Sequence, residues 1–340
     1  MKLDRRMIVL FRLTFLVAIS LSLAGCSMSM RSLLSGSNGA EDAACCATLA
    51  SGMGQNLQVH TTDHFLLLTS ADGATAAQTG RFLDQVYRRF YESFAQAGFD
   101  PQPLSGKLVC LCFNSYSQLN AYGRAADGVE ASWMDGYYSY NTNRVVFVRS
   151  GGSAQRQAQG PEAFSSGAAA TYRIAAAASS EGTGLNPRTV THELAHQLAF
   201  NSGLQNRDVT YPFWLTEGLA TNFEADAAGC FGLEAKGACC HRCLLMAAKS
   251  RGKLMPLDQF AAMTELSNTR GQGVHDTYAQ AWGLFHYLFQ YHRRELKDYM
   301  AGGWPANQSR ESQLGRFVKA FGPIEPLEKG FLRFIDDSAR

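Results

Sequence analysis

Two histidines four residues apart, with a glutamate directly after the first, carry the strongest chemical signal in the sequence: Thr191-His192-Glu193-Leu194-Ala195-His196-Gln197-Leu198. Residues i and i+4 of a helix share a face, with Cβ atoms about 5–6 Å apart, so both imidazoles can reach one metal ion. Glu193 can face a water held beside that ion. Two imidazoles with a nearby carboxylate are the donor set of a hydrolytic zinc site. A catalytic zinc takes three protein ligands and leaves one position open. Glu217, 21 residues after His196, is the natural third ligand.

Helical geometry sorts both stretches. Over 213–224, Leu215, Leu219 and Phe223 fall on one side, with Glu217, Thr221 and Glu224 on the other. An acid at 224 can accept a hydrogen bond from a ligand imidazole and fix its orientation; it fits a solvated helix face equally well. Over 190–199, Val190, Leu194 and Leu198 form the apolar stripe, and small Ala195 and Ala199 let a second helix approach closely.

His-Glu-x-x-His followed by Trp214-Leu215-Thr216-Glu217-Gly218-Leu219-Ala220 resembles the gluzincin metallopeptidases, the clan of thermolysin and aminopeptidase N. The aminopeptidases carry a similar Trp-Leu-Asn-Glu-Gly-Phe-Ala block, with an acid seven residues after the ligand, where Glu224 stands here. The string from His192 through Phe200-Asn201-Ser202-Gly203-Leu204 to Glu224 is closer still to bacterial peptidase MA-like envelope proteins. The close match covers about Pro187 to Phe223. The sequence departs from the aminopeptidases at Thr216, and it has no Gly-x-Met-Glu-Asn stretch to grip a free amino terminus. The resemblance therefore does not extend to exopeptidase activity.

Tyr278-Ala279-Gln280-Ala281-Trp282-Gly283 is similar to an aminopeptidase helix whose tyrosine donates to the oxyanion of the tetrahedral intermediate. The resemblance gives Tyr278 that role, with His275 and His286 as competing donors. Tyr278 also fits a core stripe with Trp282, Phe285 and Phe289. His60, His64, His241 and His292 read as ordinary residues.

The elements that must position these residues follow from composition and periodicity. Residues 1–25 read as a signal peptide: Lys2, Arg5, Arg6 and Arg12, an apolar run to Leu23, then Leu23-Ala24-Gly25-Cys26, a lipobox that would leave Cys26 lipid-modified. By analogy with bacterial sorting, Ser27 after the cysteine favours the outer membrane. Without residues 1–25 the chain holds 27 basic and 28 acidic residues, a balance with no nucleic-acid signature. Residues 26–55 are rich in Ser, Gly and Ala and read as a tether.

The peptidase-like domain is expected over 56–340, with insertions at 150–186 and 227–253. Strands are expected at Leu57–His60, His64–Thr69, Lys107–Phe113, Gly136–Tyr140 and Arg144–Arg149, the last two forming a hairpin around Asn141-Thr142-Asn143. In gluzincins the edge strand of such a sheet flanks the active-site cleft, and the resemblance makes Val145–Val148 the candidate for that strand, to which an extended peptide could add. Phe82, Val86, Phe90 and Phe94 mark a helix over Thr75–Ala97. Further helices are expected near Ser117–Tyr122, Leu257–Leu266, Tyr278–Tyr291, Leu314–Phe321 and Leu327–Ser338.

The expected class is α+β: a zincin-like, two-lobed domain, with a small mixed sheet, a helical lobe, and the His-Glu-x-x-His helix between them. Residues 150–186 read as a flexible insertion or a flap over the cleft. Eight cysteines besides Cys26 in an exported chain read as disulfides; Cys230, Cys239, Cys240 and Cys243 with His241 could instead form a second metal site.

The functional expectation is zinc-dependent peptide hydrolysis by a lipid-anchored envelope protein. His192, His196 and Glu217 would hold Zn2+, Glu193 would activate water, Tyr278 would stabilise the oxyanion, and Glu224 would orient a ligand. The expected partners are a peptide or protein substrate and the membrane. The alternatives are a non-catalytic zinc-containing binding or structural protein, and hydrolysis of a non-peptide amide.

Overall fold

The computed structural model describes residues 39–52, 54–149, 184–225, 239–266, 272–305 and 308–337. The leader, Cys26, residues 150–183 and residues 226–238 lie outside the described residues, as do the expectations attached to them.

Five strands form one mixed sheet: β1 (Gln58–Thr61), β2 (Phe65–Thr69), β3 (Leu108–Phe113), β4 (Gly136–Ser139) and β5 (Arg144–Val148). Their spatial order is β1-β2-β3-β5-β4. β2, β3 and β5 run parallel, while β1 and β4 pair antiparallel at the two edges. Both faces of the sheet are covered, which is why its inner strands read as unbroken apolar runs. Phe65 and Leu67 point into one core, Leu66 and Leu68 into the other.

The edge strand nearest the histidine helix is therefore β4. Val145–Val148, the sequence's candidate for an edge, is interior, hydrogen-bonded to β3 on one side and β4 on the other. The hairpin is visible in the sequence; which of its arms lies outside depends on the crossover from β3 to β5, a non-local pairing.

A second correction concerns 26–55. Within that stretch, α1 (Gly39–Gly52) is a helix seated on the sheet, with Ala43, Cys46 and Ala50 buried against Leu66, Leu68 and Val146. Its Asp42 carboxylate pairs with Arg144, whose side chain is only 6% exposed, and Arg144 also donates to the Tyr122 hydroxyl at 3.0 Å. α3 (Tyr116–Tyr122) packs on the same face and runs into a π-turn over Gly123–Asp127.

On the opposite face lie α2 (Gly73–Gln96) and α4 (Pro187–Asn201). Asp72 caps α2 by accepting from the Thr75 N–H at 3.0 Å, and Leu83, Val86, Phe90 and Phe94 fill its buried stripe. This core continues without a break into the helical region. There α5 (Phe213–Phe223) lies between α4 and α8 (Gln272–Tyr291), and α6 (Cys239–Ser250) packs on α8. α7 (Leu257–Ala261), α9 (Arg293–Ala301), α10 (Arg310–Phe321) and α11 (Ile324–Asp337) close the far side. Trp214, fully buried, meets Tyr299, Phe317 and Phe321 there.

The crossing of α5 and α8 depends on Gly218. A Cβ at that position would stand 2.6 Å from the Ala281 carbonyl oxygen and 2.8 Å from Phe285 Cβ. The glycine beside Glu217 lets α8 approach closely enough to bring Tyr278 to the site.

The cysteines divide. Cys45 is disulfide-bonded, but Cys46, Cys110 and Cys112 are buried free thiols, so the expectation that all eight pair does not hold. Buried thiols of this kind pack as small apolar side chains, and burial pushes the Cys112 thiol up to about 12. Among the described residues no helix is long and apolar enough to cross a membrane.

Candidate metal centre

α4 carries the two histidines, and its polar side is fastened to the β4–β5 hairpin. Pro187 occupies the first turn of α4, where its missing N–H costs nothing. Asn186 Nδ2 donates to Asp135 Oδ2 at 2.7 Å, tying the helix start to the start of β4. The Gln197 amide donates to the Asn143 and Val109 carbonyls at 2.8 and 3.2 Å. Asn201 Nδ2 donates to Asn143 Oδ1 at 2.8 Å, while Asn143 holds the left-handed turn position at φ 57°. α5 is fastened to α4 at its exit, where the Ala225 N–H donates to Thr191 Oγ1 at 2.9 Å.

These attachments bring three donor groups to one point. His192 Nε2 and His196 Nε2 stand 3.2 Å apart. Glu217 Oε2 is 3.3 Å from His192 Nε2, and Glu217 Oε1 is 3.6 Å from His196 Nε2. Ligand atoms about 2.0–2.2 Å from a tetrahedral zinc lie about 3.3–3.5 Å from one another, so the observed spacing fits that ion. Glu217 Oε2 is buried with no hydrogen-bond partner, and two imidazole nitrogens face each other beside it. A cation at their centre would satisfy all three.

Glu193 also offers an oxygen within 4.8 Å of both imidazoles, so His192, Glu193 and His196 form a cluster able to hold a metal ion. Its Oε2, however, accepts the Tyr138 backbone N–H at 2.8 Å. Glu217 is the closer carboxylate to both imidazoles, with one oxygen buried and unpartnered, and is the better third ligand; Glu193 lies alongside.

The surroundings of the two histidines differ. His192 Nδ1 bonds Glu224 Oε1 at 2.9 Å. Glu224 Oε2 in turn meets Arg188 and His241 Nε2, the latter at 2.9 Å. His196 Nδ1 is buried without a partner; its ring is set instead by packing, 6.3 Å from Tyr138 with planes 18° apart.

The charges follow from this geometry. Burial opposes ionisation of Glu217, but the imidazoles of His196 and His192 outweigh it and hold the carboxyl far below the usual range. Burial likewise opposes Glu224, and Arg188 and His241 overcome it. Glu193 lacks such compensation: burial raises its pKa above the ordinary value despite the two histidines. Burial works against charge on His192, yet Glu217 and Glu224 together raise its pKa.

Two phenols border the cluster. Tyr278 on α8 has its ring centroid 6.4 Å from that of His192, and the Glu217 charge, with burial, raises its hydroxyl well above the ordinary value. Tyr140, just beyond β4, lies 6.3 Å from the His196 ring. Burial of its hydroxyl, then the charge of Glu217, raises its pKa, although the residue as a whole is 43% exposed.

The structure thus brings His192, Glu193, His196, Glu217, Glu224 and Tyr278 together. It does not bring in His286, which bonds Asn222 Oδ1 at 2.9 Å and stacks on Trp282. Sequence reasoning missed Arg188, Tyr138, Tyr140 and His241. Arg188 lies one turn before His192 and was findable by the i, i+4 rule. Tyr138 and Tyr140 alternate along the hairpin, a pattern that marks a shared face. His241 sits in a cysteine-rich stretch without periodicity, and nothing in the sequence pointed from it to Glu224.

A family described as "Protein of unknown function (DUF1570)" matches residues 186–303. That span runs from the cap of α4 past the end of α9 and contains every residue of the cluster except those supplied by the hairpin. No curated protein matches the chain. What stands is an α+β chain with a mixed sheet, a helical region after it, and a His-Glu-x-x-His cluster in a coarse zincin-like layout.

Proposed function

We propose that this chain is a zinc-dependent hydrolase of peptide bonds, acting in the cell envelope and anchored there by a lipid on Cys26. The observation that carries the reading is the spacing of His192 Nε2, His196 Nε2 and the Glu217 carboxylate, all within 3.2–3.6 Å of one another. A zinc ion held there would polarise an amide carbonyl and make a neighbouring water more acidic.

The rest is the work of the chain's own residues. Glu193, its carboxyl raised by burial, accepts the proton of the attacking water and passes it to the leaving amine. The Tyr138 N–H holds Glu193 in place while it does so. The Tyr278 hydroxyl, kept protonated by the charge of Glu217 and by burial, donates to the oxyanion that forms. β4 is paired on one side only, and although its Tyr138 N–H is taken by Glu193, the rest of that edge can receive an extended peptide by main-chain hydrogen bonds. The lipobox around Cys26 supports the anchor, and the disulfide at Cys45 supports an oxidising compartment.

The test is metal content and cleavage of a broad peptide library by the purified chain, beside Glu193→Gln. The expected result is one zinc per chain in both proteins and cleavage in the parent alone. Zinc without cleavage in the parent would favour a non-catalytic binding protein. Absence of zinc from both would overturn the reading.

A further inference from the structure

The buried group that the reading above leaves without a task is His241. It comes from α6, in the cysteine-rich insertion, and is 5% exposed. Its ring stacks on Trp282 of α8, with centroids 6.3 Å apart and planes 15° apart. Its Nε2 lies 2.9 Å from Glu224 Oε2 and also against a terminal nitrogen of Arg188. Arg188 Nε in turn bonds the same Glu224 oxygen. One carboxylate therefore has its two oxygens divided: Oε1 serves His192 Nδ1, and Oε2 is gripped by Arg188 and His241 together.

We infer that His241 is a positioning residue of the metal centre: with Arg188 it clamps Glu224, and Glu224 thereby fixes the rotation and tautomer of His192. The inference rests on His192 being a metal ligand. It adds that the insertion between α5 and α8 supplies an outer member of the site.

The physical argument is about how a carboxylate is held. Glu224 follows the last residue of α5, and its backbone has already left the helix, with φ −58° and ψ 141°. A side chain there is not aligned by helical neighbours. Arg188 at Oε2 and His192 at Oε1 hold the two ends of the carboxylate and still let it rock about the line that joins them. A second contact at Oε2, from a ring wedged against Trp282, restrains that motion. Either tautomer of His241 serves. With the proton on Nε2 the ring donates to Glu224; with it on Nδ1 the ring accepts from Arg188 and holds the guanidinium instead. In both cases Oε1 stays aimed at His192 Nδ1, the Nδ1 proton stays on that side, and the Nε2 lone pair faces the cluster.

The experiment compares His241→Phe, His241→Gln and the parent, as detergent-solubilised full chain. Phe keeps the ring against Trp282 and removes both donor and acceptor; Gln restores an N–H and a carbonyl at similar reach. Partners of this kind are worth about 10–100-fold in metal affinity. His241→Phe is expected to weaken zinc binding, measured by chelator competition, by about tenfold or more, with His241→Gln recovering most of it. In metal-free protein labelled with 15N-histidine, the His192 Nδ1–H signal, protected by its bond to Glu224, is expected to be lost to solvent exchange in the Phe variant and to persist in the Gln variant.

Equal zinc affinity in all three proteins with an unchanged His192 signal would overturn the inference, leaving His241 as a packing residue. Equal weakening in both variants would overturn it too, since that follows from disturbed packing alone. If the parent takes up no zinc while the Phe variant alone loses the Nδ1–H signal, the zinc reading sinks and the clamp stands. Should His241→Phe fail to fold, Arg188→Gln reports on the other jaw, with the same two measurements and the same outcomes.

Discussion

The carboxylate of Glu193 accepts a hydrogen bond from the backbone N–H of Tyr138 at 2.8 Å, joining the histidine helix to the edge strand of the sheet. The group proposed as the base is thus held by a donor that no side-chain substitution removes. Glu193→Gln keeps an acceptor for that N–H and loses the ability to take a proton. We expect it to bind zinc as the parent does and to lose about 10²–10⁴-fold in turnover. Steady-state kinetics beside metal analysis checks both halves, and an active Gln variant would remove Glu193 from the mechanism.

Glu217→Gln tests the third ligand. The substitution keeps volume and removes the charge that lies 3.3 Å from His192 Nε2. Losing a ligand should weaken zinc binding by more than the roughly 10–100-fold that outer partners cost. Competition with a chelator measures it, and a loss smaller than tenfold would point to Glu193 as the ligand instead.

Gly218→Ala tests the helix crossing. The added methyl would meet the Ala281 carbonyl at 2.6 Å, a backbone atom that cannot rotate away. Overpacking of this kind costs about 1–3 kcal/mol. The expected result is a lower melting temperature together with reduced activity, because α8 carries Tyr278. An unchanged melting temperature would show that α5 and α8 separate freely.

His286 should make stability depend on acid. Burial, with the nearby charge of Arg242, lowers its pKa from 6.5 to about 4. The unfolded chain therefore binds this proton more readily than the folded one. The contribution is complete above pH 6.5 and is lost as pH falls through 4, amounting to roughly 3 kcal/mol at most. Denaturant unfolding across that window should fall less steeply for His286→Gln than for the parent; parallel curves would refute the assignment.

Asp42→Asn should loosen α1. It leaves the buried Arg144 guanidinium with the Tyr122 hydroxyl but without its carboxylate. Breaking a buried pair from one side costs about 3–5 kcal/mol, and Asp42 is exposed enough to place the loss near the lower figure. Adding Arg144→Met to Asp42→Asn should recover much of it. Chemical denaturation of the three variants checks this, and a larger loss in the double variant would mean the pair is not the anchor.

The parts of the site that repeat along a helix were legible in the sequence. His192 and His196 follow from their spacing of four and Glu217 from the ligand count of a zinc site, while Glu224 and Tyr278 rested on the resemblance and each had an ordinary reading beside it. The strands were legible because both faces of the sheet are buried and leave apolar runs such as Phe65–Leu68. What was hidden came from pairings distant in sequence. The position of β4 outside β5 rests on a crossover, α1 was obscured by a low-contrast run of Ala, Cys and Gly, and the meeting of His241 with Glu224 spans residues that share no pattern. Cys46, Cys110 and Cys112 misled because cysteine counts report oxidation state only when the thiols are not simply core.

The sheet separates the metal centre on one face from α1 on the other. Asp42 of α1 reaches Arg144, the first residue of β5, which is paired in register with Ser139, the neighbour of Tyr138. The seat of α1 and the support of Glu193 are therefore mechanically in series, and a displacement of one is felt in the alignment of the other.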